Sequence, residues 1–132
     1  MFPKSTLSRF HQLASPFYYY DLSVLSQTLE QIRTEARKYG FHVHYALKAN
    51  ANPEILAVVR EYGLGADCVS GNEVKRAVEC GFEAEQIVFA GVGKNDEEIR
   101  YALEHSISCF NCESMQEMEV IHELASAAGR KA

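Results

Sequence analysis

Nowhere in the sequence is there a dense block of Lys and Arg, a run of apolar residues approaching a membrane span, or a secretory leader. Basic residues are outnumbered 13 to 18 by acidic ones, for a formal charge of −5, so the electrostatic footprint of a nucleic-acid binder is missing. The segment from Met1 to Ser15 is broken by Lys4, Arg9 and His11 and has no continuous apolar core, so it does not read as a signal peptide. Cysteine is scarce as well. Four thiols without a leader are expected to be reduced, and the expected compartment is the cytoplasm.

What is present fits an ordinary globular chain. Hydrophobic residues make up 47% and charged residues 23% of the 132 positions, the length of one typical domain. Leu22, Leu25, Leu29, Ile32 and Ala36 recur at helical spacing behind Asp21, a good N-cap, and the pattern stops at Gly40. Phe41 to Leu47 then reads as a strand, and Asn52-Pro53 opens a helix carrying Ile55, Leu56, Val59 and Tyr62 up to Gly63.

The strand-then-helix unit repeats. Gly65–Val69 is a short strand, and Ser70-Gly71-Asn72-Glu73 has the form of a capping box before the next helix. Ile87–Ala90 is another strand, with a turn at Gly91-Val92-Gly93 and a helix from about Asn95 whose first turn carries Asp96, Glu97 and Glu98. Ile107–Cys112 is the last strand, and Ser114 to Glu117 is a second capping box. Such alternation predicts an α/β fold with a parallel sheet of four βα units, which suits either an open doubly wound sheet or a closed barrel. The aromatic stretch Pro16-Phe17-Tyr18-Tyr19-Tyr20-Asp21 precedes all of this and reads as extended, a half-buried strand from another layer or domain.

Side chains alternate along a strand, which sets Phe41, Val43, Tyr45 and Leu47 on one face and His42, His44, Ala46 and Lys48 on the other. Lys48 thus opposes the apolar face at the C-terminal end of its strand, where βα folds place catalysis. Partial desolvation there favours the neutral amine that attacks a carbonyl or an aldehyde cofactor, although a solvated surface charge is equally compatible with the bare pattern. Asp67 stands amid Gly65, Ala66, Cys68 and Val69, so its carboxylate is expected in a largely apolar wall, either near a cofactor or paired for stability.

Four stretches, taken together and in order, carry a resemblance: Tyr45-Ala46-Leu47-Lys48-Ala49-Asn50-Ala51-Asn52-Pro53, the run from Gly63 to Glu73, Val88 to Lys94, and Asn111-Cys112-Glu113-Ser114. They resemble the diaminopimelate decarboxylase family, whose fold is similar to that of alanine racemase: a pyridoxal-phosphate (β/α)8 TIM-like barrel plus a β domain. The resemblance implies that Lys48 is the Schiff-base lysine, that Asp67 lies near the cofactor, and that meso-diaminopimelate is decarboxylated to L-lysine. It also implies a homodimer, and a division into residues 1–21, an N-terminal strand segment of the β domain, and residues 22–132, a partial barrel.

Two departures are visible. Asn72 stands where the family often has Gly, a residue whose backbone freedom Asn largely shares. Moreover, four βα units are the N-terminal half of a barrel, and the family's ring-stacking histidine, glycine-rich phosphate loop, substrate-binding arginine and cross-dimer Cys-Glu-Ser-Gly-Asp segment have no counterpart in these residues. An ornithine, arginine or carboxynorspermidine type of decarboxylase shares the lysine motif, and a non-catalytic truncated fragment is the alternative outside enzymes.

Other constellations point to less. Cys109 and Cys112 fit C-x-x-C but fall within a predicted strand, where a redox pair is not expected, so they read as plain buried or partly buried thiols. His42 and His44 share a strand face without a third ligand implied by spacing, so no metal is expected. Gly91-Val92-Gly93-Lys94 lacks the spacing of a phosphate loop and reads as a strand-to-helix turn.

Overall fold

The computed structural model describes residues 2–132; Met1 lies outside the described residues. A short helix α1 (Lys4–Phe10), which the sequence pattern did not announce, is followed by residues 11–21 without any paired strand. The aromatic rings there pack on one another instead: Phe10 lies against Phe17 and Tyr19 at 5.2 and 5.1 Å between centroids. Tyr18 and Tyr20 are exposed.

From Asp21 onward the local signals act as written. Helix α2 (Leu22–Tyr39) starts where the Asp21 carboxylate accepts from the N–H groups of Ser23 and Val24, and ends at Gly40. The alternation continues with β1 (His44–Ala46), α3 (Pro53–Glu61), β2 (Gly65–Cys68), α4 (Gly71–Glu79), β3 (Ile87–Phe89), α5 (Asp96–Glu104), β4 (Cys109–Phe110) and α6 (Met115–Ala127). Every strand is shorter than its sequence pattern suggested. The clearest case is β1: Phe41 is 68% exposed and stacks on Tyr39, so it precedes the sheet rather than joining its apolar face.

All pairings are parallel and the strands lie in the order β1-β2-β3-β4. That order settles what periodicity left open, since a doubly wound sheet reverses direction at a switch point and buries both faces, whereas successive neighbours form an arc of a barrel. Burial agrees. The row Ala66, Cys68, Ile87 and Phe89 is fully buried against the helices together with Leu56, Val59, Val74 and Ala77. The opposite row, Ala46, Asp67, Val88 and Cys109, is in register across all four strands and stays partly or fully exposed.

A second, smaller cluster of Ile99, Leu103, Ile121, Leu124 and Ala125 joins α5 to α6, and Phe110 packs against both clusters. β1 and β4 are the sheet edges. Cys109 and Cys112 are exposed rather than buried, because they lie on and just beyond the edge strand β4.

Candidate active site

The C-terminal ends of the four strands lie along one rim, which carries the turn bearing Lys48, while Asp67 stands on the uncovered face of β2. Lys48 is not in the strand, however. The chain leaves β1 after Ala46 and forms a 3₁₀ turn at Leu47–Ala49, so the count of alternating faces ends two residues before the lysine. Leu47 is 1% exposed and anchors this turn in the core, whereas Lys48 is exposed.

Both sides of the turn are tied. The Tyr45 hydroxyl donates to the Asn50 carbonyl at 3.3 Å, Asn52 N–H donates to Asn50 Oδ1 at 3.0 Å, and Asn52 Oδ1 caps α3 through the Glu54 N–H at 2.9 Å. The backbone under Lys48 is therefore fixed while its amine is free. Among the described residues that amine has neither an ion-pair nor a hydrogen-bond partner.

Asp67 lies beside Ala46 on one side and Val88 on the other in sheet register, half-buried on the open face. It faces away from Ala66 and Cys68, so its carboxylate stands on the open face rather than among the buried side chains of its strand. No ion pair joins it to Lys48 among the described residues, so the pairing that sequence reasoning allowed is not formed. Cys68, one residue on, points the other way; burial, with smaller contributions from the Glu73 and Asp67 carboxylates, pushes its thiol up to about 12. It is an inert core thiol. Burial likewise raises the Tyr45 phenol, which keeps it a hydrogen-bond donor to Asn50.

Farther down the same face, His44 lies across the backbone of β2. A Cβ at Gly65 would come 2.4 Å from His44 Cδ2 and 2.5 Å from the Gln86 carbonyl, so only glycine leaves room for the imidazole. His42 is exposed at the far, N-terminal end of β1.

The loops at the rim are bound to each other by carboxylates that the sequence pattern assigned elsewhere. Ser70 Oγ accepts from the Glu73 N–H, as in a capping box, but Glu73 Oε2 accepts from the Val69 N–H at 2.8 Å, one residue upstream of the box. Ser114 caps α6 in the same way, while Glu117 turns aside to pair with Lys94. The reciprocal box is at Asn95 and Glu98, and Glu98 Oε1 additionally accepts from the Gly71 N–H at the start of α4, at 2.7 Å. Lys94 and Glu117 are the rim residues that sequence reasoning missed. The one signal was a lysine directly after Gly91-Val92-Gly93, at the mouth of a strand-to-helix turn.

A pyridoxal group needs a lysine amine held in place yet unpartnered, beside a face that is not filled by side chains. Lys48 meets the first condition and the row Ala46, Asp67 and Val88 the second, so the residues present fit the aldehyde-bearing end of that cofactor.

Comparison with known proteins identifies the family. The model of the family "Pyridoxal-dependent decarboxylase, pyridoxal binding domain" matches residues 24–130. Diaminopimelate decarboxylase of Bacteroides thetaiotaomicron is 56% identical over 125 residues, covering 94% of this chain and 32% of that protein. The Zymomonas mobilis enzyme of the same name is 44% identical over 124 residues, covering 92% and 30%. Among solved structures, a mutant diaminopimelate decarboxylase from Helicobacter pylori complexed with L-lysine superposes with a TM-score of 0.87 at 39% identity, over 96% of this chain and 32% of that one. The chain thus spans about a third of the length of the relatives it matches.

Proposed function

The chain belongs to the pyridoxal-dependent decarboxylase family through its pyridoxal-binding domain, and from that premise we propose that it carries the lysine-bearing part of a diaminopimelate decarboxylase active site. The observation that carries this reading is the placement of Lys48: exposed and unpartnered at the strand-end rim, on a turn whose backbone is held by Leu47, Tyr45 and Asn52. Identity to diaminopimelate decarboxylases of 56% and 44% favours that substrate over ornithine or arginine. The L-lysine bound in the Helicobacter pylori relative is the product this reaction would release.

When bound, pyridoxal phosphate supplies an electron sink for the pair left behind as carbon dioxide departs. Lys48 is the residue that would hold the cofactor, through Nζ at its aldehyde carbon. Its amine lies unpartnered at the open face, where Nζ would be able to hold or deliver a proton beside the substrate's α-carbon. Asp67 lies on the same face, where its carboxylate would be able to hold a proton or face a positive charge on a bound cofactor. The buried helix-side row keeps β2, which bears Asp67, in register with β1, whose end leads into the Lys48 turn.

The wider assignments follow from the same reading. The substrate is a small amino acid, the active form is a homodimer, the compartment is the cytoplasm, and residues 1–21 belong to a β domain rather than to the barrel. Nucleic acid is not a partner, and no helix among the described residues is long and apolar enough to cross a membrane.

The test is turnover. With pyridoxal phosphate added, the complete protein carrying this sequence is expected to release carbon dioxide and L-lysine from meso-diaminopimelate, in preference to ornithine or arginine. Preference for either of those would favour the related decarboxylases instead. For the 132-residue chain alone, weak cofactor binding and no turnover are expected. Turnover by that chain would contradict the reading of it as a partial site.

A further inference from the structure

Lys94 is the most deeply buried cation at the rim, with a side chain only 1% exposed. An ammonium group has three donors, and all three are taken: by the Gly91 carbonyl at 2.7 Å, the Asn111 carbonyl at 2.9 Å and Glu117 Oε1 at 2.5 Å. Those acceptors belong to the β3–α5 turn, the β4–α6 loop and the first turn of α6. The Phe89 ring lies beneath, with its centroid 5.4 Å from Nζ.

The turn held in this way presses on the loop after β2. Gly91 has φ +88°, and a Cβ there would lie 2.7 Å from the Val69 carbonyl, so the two backbones are in direct contact. Val69 closes the strand that bears Asp67, and its N–H is in turn held by Glu73. A continuous set of contacts therefore runs from Glu117 through Lys94, Gly91 and Val69 to β2. An apolar pair at positions 94 and 117 could stabilise the fold as well as an ion pair does, but it would leave the Gly91 and Asn111 carbonyls without their donor.

We propose that Lys94 is a positioning residue: clamped by Glu117, it sets the Gly91–Gly93 turn against Val69 and so fixes where Asp67 stands relative to the cofactor held by Lys48. The proposal rests on the reading of Lys48 given above. It separates registry from stability, and the two can be measured apart.

The experiment compares the complete protein with Lys94→Met, with Lys94→Met/Glu117→Leu and with Glu117→Gln. It reads thermal unfolding, amide exchange without cofactor, and pyridoxal phosphate affinity from visible absorbance. In the double variant, which leaves no charge stranded, the unfolding midpoint is expected to return close to that of the parent. Exchange at Val69, Ala90 and Asn111, whose N–H groups are bonded to Glu73, Cys68 and Phe89, is nevertheless expected to be at least tenfold faster, and the Kd for pyridoxal phosphate at least fivefold weaker. Glu117→Gln keeps the shape and one acceptor, so it covers the case of a double variant that does not fold; about threefold faster exchange is expected there.

Parent-like exchange together with parent-like affinity would overturn the proposal, as would faster exchange with unchanged affinity. Absence of a lysine-bound cofactor band in the unsubstituted protein would overturn the reading of Lys48 instead, and the exchange rates would still decide the clamp.

Discussion

Two lysines stand at the same rim and have opposite surroundings. Lys48 is exposed and unpartnered on a backbone held rigid, whereas Lys94 is buried with all its donors used. The difference teaches how to separate a reactive amine from a structural one within a single fold. A nucleophile needs an available lone pair and a fixed Cα, while a clamp needs its protons committed to acceptors on different loops.

The comparison breaks most sharply at Lys48. Lys48→Ala is expected to abolish the shifted visible band of the lysine-bound cofactor in the complete protein, leaving only that of the free aldehyde, while changing stability by no more than about 0.5 kcal/mol, as for an exposed side chain without partners. Retention of the shifted band would remove Lys48 from the site. Lys94→Met should do the reverse to stability and cost about 3–5 kcal/mol, because it strands the Glu117 carboxylate against a loop it no longer holds. Chemical denaturation with an unchanged midpoint would show that the pair contributes nothing.

The two faces of the sheet give a weaker contrast of the same kind. Cys68 on the helix side should resist alkylation at pH 8 while exposed Cys109 and Cys112 react within minutes, as peptide mass mapping of the folded protein would show. Because the folded thiol of Cys68 is raised from 9.0 to about 12, its protonated form stabilises the fold fully below pH 9. That contribution is lost as the pH rises from 9 towards 12, and Cys68→Ala should flatten this limb of the stability profile. The smallest effect is expected at the cap beside Lys48: Asn52→Ala should cost about 1 kcal/mol through loss of the bond from the Glu54 N–H. A larger loss would mean that the Lys48 turn depends on that cap for its own conformation.

Much of the fold was legible because the signals were local. Asp21, Asn52, Ser70, Asn95 and Ser114 each cap the helix that follows them, and the apolar positions of α2 and α3 recur at helical spacing. Strand alternation held for His44 and Ala46, which share the open face with Asp67. It failed for Lys48, because alternation assumes a strand and the backbone turns at Leu47. It also overran the start of β1, since the aromatic Phe41 packs on Tyr39 outside the sheet.

What could not be read was everything that depends on which loop meets which. Glu73 and Glu117 occupy the position where a capping-box carboxylate would fold back on its own N-cap, yet one reaches Val69 and the other Lys94, 23 residues away in sequence. The short-range pattern is satisfied by the serine alone, so nothing in it reveals where the carboxylate goes. The strand order, which chose the barrel over the doubly wound sheet, is likewise a long-range property that periodicity does not contain.

Lys48 rather than Lys94 is proposed as the amine that holds the cofactor. Incubating the complete protein with pyridoxal phosphate, reducing with borohydride and mapping the pyridoxyl label by peptide mass spectrometry tests this directly. The label is predicted on Lys48 alone, at close to one per chain; a label on Lys94, or on other lysines with Lys48 unmodified, would contradict it.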